Sequence, residues 1–109
     1  MDVYAKLATA LLGRRVCCDL SRGRGFSAAW RDGLFILNID VKALWDDPLG
    51  EWSLGVIIHE CAHDKATGHS IEFTHEVQRL GGRLARWIGE HPDSWNRWRD
   101  RLYDSVQSF

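Results

Sequence analysis

Residues 51–65 read EWSLGVIIHECAHDK, and the interpretation of the whole chain starts from this stretch. It is too apolar for a helix on the surface, so we expect a helix at the centre of the domain. Within it, His59, Glu60 and His63 form the pattern H-E-x-x-H. Because residues four apart lie on one face of a helix, the two imidazoles point toward one position. The stretch therefore predicts a buried helix that presents a pair of metal ligands.

The chemistry expected of this pattern is metal-assisted hydrolysis. Zn²⁺ binds neutral imidazole nitrogens and lowers the pKa of a bound water, so that a neighbouring base can take its proton. Glu60 directly follows the first ligand, which places it to act as that base and then to return the proton to a leaving amine. The pattern predicts His59 and His63 as zinc ligands and Glu60 as the catalytic residue in peptide-bond hydrolysis.

A catalytic zinc site needs a third protein ligand and one open position. His69 lies six residues after His63, just beyond the helix break predicted at Gly68, so the chain can turn back and bring its ring to the same ion. The alternatives are Glu72 and Glu76, which lie on the following predicted helix. We favour His69, and the sequence leaves the choice among the three open.

Before the central helix, the sequence predicts one helix, a short antiparallel sheet and a short helical turn over residues 40–45. Apolar residues recur at helical spacing over residues 3–11, and they alternate with other residues over 16–20 and 26–30. The pair Asp32-Gly33 is typical of a two-residue turn between antiparallel strands. Residues 34–39 are expected to form the strand that returns from this turn.

After the central helix, two further helices are expected. Ser70 can cap a long helix that carries an apolar stripe, and Pro92 can begin a last helix with Trp95 and Trp98 on its buried side. The sequence shows no repeat and no linker. We therefore predict an α+β fold, with helices packed on the sheet, in a single domain over residues 1–109.

Composition limits the classes of partner. The chain has 109 residues and a formal net charge of -1, so its overall charge favours neither nucleic acid nor an anionic membrane. No apolar run approaches the roughly 20 residues of a membrane-spanning helix, and the N-terminus lacks the pattern of a signal peptide. Cys17 and Cys18 are adjacent, which disfavours a disulfide between them and indicates a reducing compartment. We expect a cytoplasmic protein that acts on a peptide or protein and not on a membrane.

Residues 59–73, HECAHDKATGHSIEF, resemble the signature of the WLM-type and SprT-like metalloproteases. In that signature a short break follows H-E-x-x-H, and a third histidine is followed four residues later by phenylalanine. The resemblance is specific over about residues 34–88 and implies a minimal zincin-like domain that hydrolyses peptide bonds with zinc. It also implies roles for the motif residues: zinc ligands for His59, His63 and His69, and the general base for Glu60.

The resemblance implies a mode of substrate binding as well. In zincins an edge strand beside the active helix pairs with the extended substrate, and this role falls to residues 34–39. Many members of these families cleave proteins bound or crosslinked to DNA, which implies DNA-associated proteins as substrates. The chain departs from the related metzincin pattern at Ala66, where that pattern has glycine. Met1 is the only methionine, so the sequence has no metzincin Met-turn.

Two other functions stay open at this stage. One is a catalytically inactive zinc-binding module for regulation or interaction, which needs ligands but no base, so the presence of Glu60 favours an enzyme. The other is contact with nucleic acid, although a solvated face is the preferred interpretation of the basic residues. Those residues are Arg14, Arg15, Arg22, Arg24, Arg31, Arg79, Arg83, Arg86, Arg97, Arg99 and Arg101. The oligomeric state and the cleavage preference are not fixed by the sequence.

Overall fold

The computed structural model describes residues 2–107, and over this range the fold is α+β, as predicted. The elements are α1 (Asp2–Leu12), β1 (Cys17–Ser21), β2 (Ala28–Arg31), β3 (Leu34–Asn38), α2 (Lys42–Asp46), α3 (Glu51–Ala62), α4 (Ile71–Glu90) and α5 (Pro92–Val106). Within the described range, no helix combines the length and the apolar character needed to cross a membrane.

The sheet is mixed, which corrects the prediction of an antiparallel sheet. Its strand order is β1-β3-β2, with β2 antiparallel to β3 and β1 parallel to β3. The predicted hairpin is confirmed: Asp32 and Gly33 have φ values of 38° and 83°, which suit the two-residue turn between β2 and β3. The predicted edge strand over residues 34–39 is wrong, because β3 pairs on both sides and lies at the centre of the sheet.

A buried asparagine holds the loop that separates β1 from β2. Asn38, at the end of β3, is 1% exposed, and its side-chain nitrogen donates to the carbonyls of Gly23 and Phe26 at 3.0 and 2.9 Å. Both carbonyls belong to the loop between β1 and β2, so this loop is held across the end of β3. After β1, the chain therefore crosses the end of β3 before β2 begins. The alternation of apolar residues along a strand does not predict the strand order, because the alternation is the same whichever strand lies next to it.

Helix α3 lies between the sheet and the other helices, as its apolar sequence predicts. It contacts β2 on one side and helices α1, α2 and α4 on the others. Ile57 and Cys61 are at most 1% exposed, in agreement with a core role for this cysteine. Burying such an aliphatic side chain stabilises the fold by about 1.5–3 kcal/mol. The surrounding core includes Tyr4, Leu7, Leu11, Phe35, Leu37 and Leu80.

The start of α4 is fixed by its predicted cap. The hydroxyl of Ser70 accepts a hydrogen bond from the backbone N–H of Phe73 at 3.4 Å, which satisfies one of the first N–H groups of the helix. The helix then runs through Gly81 and Gly82 without a break, so this pair does not divide it. Because α4 begins immediately after Ser70, the segment between α3 and α4 is short, and His69 stays close to α3.

Candidate metal centre

The three predicted histidine ligands come together. His59 and His63 lie one turn apart at the end of α3, and His69 belongs to the segment before α4. Their candidate ligand nitrogens all lie within 4.8 Å of one another, and the ring centroids are 5.0, 5.1 and 5.2 Å apart. The helical spacing brings the first two together, and the turn after α3 brings the third.

The donor atoms, and the one short distance between two of them, fit a zinc ion. The Nε2 atoms of His59 and His69 are 3.3 Å apart. Two nitrogens bound to one tetrahedral zinc at 2.0–2.1 Å would be separated by about 3.3 Å. His63 Nδ1 lies 2.9 Å from the carbonyl oxygen of Ala66, so Nδ1 carries the proton and Nε2 keeps its lone pair. Three neutral nitrogens with room for a further ligand form the donor set of a catalytic zinc site.

Ala66 contributes to the site through its backbone, a role that the side-chain pattern does not reveal. Its N–H donates to the carbonyl of Ala62, which continues the turn beyond α3 and directs its own carbonyl at His63. Ala66 is 8% exposed and has a negative φ. A residue with negative φ does not need to be glycine, which explains why the chain tolerates alanine at this position of the motif.

Phe73 forms an apolar base under the three imidazoles. Its ring centroid lies 4.9, 4.7 and 4.9 Å from those of His59, His63 and His69, and it is stacked on His63 with an angle of 30° between the planes. The side chain is 8% exposed. It therefore restricts the orientation of all three ligands and excludes water from one side of the cluster. The sequence indicated Phe73 through the resemblance and as a position in an apolar stripe.

Glu60 lies beside the ligand cluster but does not belong to it. Its Oε1 is 3.9 Å from His59 Nε2, and its side chain is 12% exposed. Burial raises the pKa of this carboxyl group, and the neighbouring His63 opposes the rise. Burial, together with the neighbouring His63 and His69, lowers the pKa of His59 and favours the neutral imidazole that binds metal. This position suits a base that works next to the metal.

The two alternative third ligands lie elsewhere. Glu72 is exposed, near the start of α4. Glu76 is 7% exposed, and its carboxylate accepts hydrogen bonds from Nε and Nη2 of Arg79 at 2.5 and 3.0 Å. Arg79 lowers the pKa of Glu76, so the carboxylate is held as a structural ion pair. Of the three candidates, His69 is the one that joins His59 and His63 in the ligand cluster.

An open cleft runs between β2 and α3 and passes Glu60. It consists of two cavities of about 690 and 600 Å³, which share Ala28 and Glu60. The larger is also lined by Ser27, Glu51, Trp52, Gly55, Val56 and His59. The smaller is also lined by Ala29, Trp30, Asp32, His63, Asp64 and Thr67. The edge strand that borders the cleft is therefore β2 and not residues 34–39.

The structure also shows the contacts of other charged and aromatic side chains. Asp64, just after α3, forms an ion pair with Arg14, whose guanidinium carbon lies 5.8 Å from the Trp30 ring centre. Trp52 is 50% exposed. Many of the arginines considered for phosphate contact are paired with carboxylates. These pairs are Arg14–Asp64, Arg22–Asp40, Arg79–Glu76, Arg86–Glu90, Arg99–Asp100 and Arg101–Asp2.

Comparison of the chain with protein-family models, with curated proteins and with solved structures finds no match. The interpretation of the site therefore depends on its own geometry: three converging imidazoles, a carboxylate beside them, and an edge strand across the cleft.

Proposed function

We propose that this chain is a zinc-dependent peptidase of the zincin type, with His59, His63 and His69 as the metal ligands and Glu60 as the general base. The observation that carries this proposal is the convergence of the three imidazoles at one point, with the Glu60 carboxylate 3.9 Å from one of them. A purely structural site needs its ligands but no base beside them, and such sites are usually closed by a fourth protein ligand.

The residues of the site have separate roles in the proposed hydrolysis. When bound, zinc supplies a Lewis acid that polarises a carbonyl and activates water. Glu60 accepts a proton from the attacking water and later delivers it to the leaving amine, a role that its position beside the ligands and outside their cluster allows. His63 is held in one tautomer by the Ala66 carbonyl, so its ligand nitrogen stays available.

The edge strand β2 provides a place for the substrate backbone. A strand with one unpaired side can add an extended peptide through main-chain hydrogen bonds. Ala28 and Trp30 of β2 line the cleft, and Glu60 and His63 lie across it on the α3 side. A peptide paired with β2 would pass the ligand cluster, which places one of its amide bonds next to Glu60. We propose a peptide or an extended segment of a protein as the substrate.

The main alternative is a zinc-binding module without activity. It shares the metal and the ligands with the peptidase and differs in what Glu60 does. The position of Glu60 outside the ligand cluster and within an open cleft favours the enzyme. The two functions are therefore separated by variants that keep the metal.

The experiment measures zinc content by elemental mass spectrometry and cleavage of a mixed peptide library, in parallel, on the wild type and three variants. We expect Glu60→Gln to keep one zinc per chain and to lose about 10²–10⁴-fold in cleavage rate. His69→Ala should lose both zinc and cleavage, and His75→Ala, which changes an exposed histidine outside the cluster, should lose neither.

The outcomes distinguish the alternatives. Zinc in the wild type, lost with His69→Ala, but without cleavage of any library peptide would support the inactive module. A wild type that takes up no zinc would overturn the peptidase and the module together. Cleavage that survives Glu60→Gln unchanged would remove Glu60 from its proposed role.

A further inference from the structure

The larger of the two cavities extends along the first turns of α3, away from the ligand cluster. Ala28, Trp52 and Val56 form an apolar part of its walls, while Ser27, Glu51, His59 and Glu60 form a polar part. Trp52 is 50% exposed and Ile71 is 66% exposed, and these are the large apolar side chains with high exposure among residues 2–107. A single exposed apolar side chain is ordinary on a protein surface, so its position decides what it indicates. In this case the exposed tryptophan lies in a cavity that His59 and Glu60 also line.

A glycine within α3 opens this cavity. Gly55 is one turn before His59, in the interior of the helix, where glycine costs about 1 kcal/mol relative to alanine. A Cβ atom added at Gly55 would meet no other atom within 4 Å. By contrast, a Cβ atom at Gly50 would lie 2.2 Å from the Asp47 carboxylate. The glycine at 50 leaves room for the Asp47 side chain, whereas a side chain at 55 would displace no neighbour and would project into the cavity.

We propose that Trp52, Gly55 and Val56 form a subsite for a large apolar side chain of the substrate, and that Gly55 sets its depth. This inference rests on the proposed peptidase function. Its occupant is one side chain of a peptide paired with β2, because Ala28 of that strand lines the same cavity. Side chains of an extended peptide alternate in direction, so a peptide on β2 directs every second one toward α3. The substrate class is thus a peptide with a leucine-, methionine- or phenylalanine-like residue close to the bond that is cleaved.

The first arm of the test measures binding without cleavage. Zinc-loaded Glu60→Gln protein is titrated with short labelled peptides of alanine and glycine that differ at one position, which is alanine, leucine or phenylalanine. Fluorescence anisotropy gives the dissociation constants. We expect the leucine and phenylalanine peptides to bind about tenfold or more tightly than the alanine peptide, as apolar pockets typically discriminate.

The second arm changes the depth of the subsite. Gly55→Leu in the same protein should weaken binding of the leucine and phenylalanine peptides by about tenfold or more, and it should change the alanine peptide less than about twofold. Gly55→Ala should have a smaller effect in the same direction and should melt at an equal or higher temperature, because its Cβ is accommodated and alanine favours helix. Both variants should keep one zinc per chain. If Gly55→Leu does not fold, Gly55→Ala alone carries the comparison.

The results separate this inference from the function on which it rests. If peptides bind with the expected preference but the protein with Glu60 intact cleaves none of them, hydrolysis fails and the subsite stands. If that protein cleaves all three peptides at equal rates, and the Gly55 variants change none of them, the subsite fails and hydrolysis stands. A Gly55→Leu variant that loses affinity for all three peptides equally would also overturn the subsite, as would the absence of binding by any peptide.

Discussion

Two clusters of histidine and aromatic rings in this protein use the same sequence spacing with different results. In the metal cluster, formed by His59, His63, His69 and Phe73, the three imidazole planes are inclined to one another by 49–78°. In the tryptophan stack, formed by Trp87, His91 and Trp98, Trp87 lies nearly parallel to both other rings, at 20° and 16°. His59 and His63 are four residues apart, as are Trp87 and His91.

The difference lies in what faces each pair. Trp98 of α5 covers the face of Trp87, so the rings stack and hold α4 against α5. Nδ1 of His91 lies 3.0 Å from the Trp87 carbonyl oxygen, so one of the two ring nitrogens of His91 has a partner at the end of α4. The metal cluster instead receives a third imidazole, and its nitrogens converge. A spacing of four residues brings two side chains of a helix together. The side chain that another element adds, Trp98 or His69, decides whether the pair packs or forms a candidate metal site.

The largest expected effect is the loss of a ligand from the metal cluster. His63→Ala should weaken zinc binding by more than the roughly 10–100-fold that removal of a supporting residue costs, because it removes a donor atom itself. The matched change in the tryptophan stack, His91→Ala, should leave zinc affinity unchanged. Competition with a chelator of known affinity measures both. Equal zinc affinities for the two variants would contradict the distinction between the clusters.

The base of the metal cluster tests whether Phe73 orients the ligands. Phe73→Ala should weaken zinc binding by about 10–100-fold, as loss of an orienting neighbour does, and should destabilise the fold by about 3–5 kcal/mol. Trp98→Ala should lower stability as well, since Trp98 packs on Trp87, and should not change zinc affinity.

Denaturant unfolding and chelator competition, carried out together, separate the two effects of Phe73. If Phe73→Ala fails to fold, Phe73→Leu keeps most of the volume and tests the orientation. Zinc affinity that is unchanged in the folded variant would assign Phe73 to packing alone.

A smaller effect is expected at Glu76, which the sequence offered as a third ligand. Glu76→Gln should keep one zinc per chain and should cost about 1–3 kcal/mol at neutral pH, because it breaks the charge-assisted hydrogen bonds from Arg79. The pKa of Glu76 is lower in the folded state than in the unfolded chain. Its stabilising contribution is therefore present above the unfolded pKa and is lost as the pH falls through the folded pKa.

Unfolding free energies measured across the acid range test this sign. The unfolding free energy of the wild type should exceed that of Glu76→Gln at neutral pH. This difference should disappear as the pH falls below about 4, near the ordinary pKa of a glutamate. An advantage that grows in acid, or a loss of zinc at neutral pH, would contradict the assignment of Glu76 as a structural ion pair.

The smallest effect is expected beside the tryptophan stack. Arg86 pairs with Glu90 one turn along α4 at 3.1 Å, and both side chains are exposed. Arg86→Ala should change the unfolding free energy by no more than about 0.5 kcal/mol, because water and salt screen such pairs. Thermal melts at low and high salt measure this. A larger loss of unfolding free energy that depends on salt would show that the charges around the tryptophan stack stabilise the fold.

The sequence predicted the convergence of the three histidines better than it predicted the sheet. Helical periodicity fixes the relation between His59 and His63, and the glycine and the cap that follow place His69 nearby, so these three could be chosen from the sequence. The choice against Glu76 needed the structure, since its ion pair with Arg79 is not evident from composition. The roles of Ala66 and Gly55 were missed because they depend on a carbonyl direction and on empty space, neither of which side-chain identity shows.

The order of the strands could not be predicted from the sequence, for a different reason. The turn at Asp32-Gly33 fixes the pairing of β2 with β3, because the contact is local. The pairing of β1 depends on the path of residues 22–27, which Asn38 holds from a distance along the chain. A strand's apolar pattern shows which face is buried but not which neighbour it has. As a result, residues 34–39 are predicted as the edge strand beside α3, whereas the strand that borders the cleft is β2.

The three proposed metal ligands fall within eleven consecutive residues, His59–His69, whereas β2, on the other side of the cleft, lies far earlier in the chain. Closing so short a loop costs little entropy, so an unfolded chain can still bring the three imidazoles to one ion. We therefore expect zinc to bind the denatured ensemble in addition to the native protein, and binding to the unfolded chain reduces the stability that a ligand confers. We expect added zinc to raise the melting temperature by less than the native affinity alone implies.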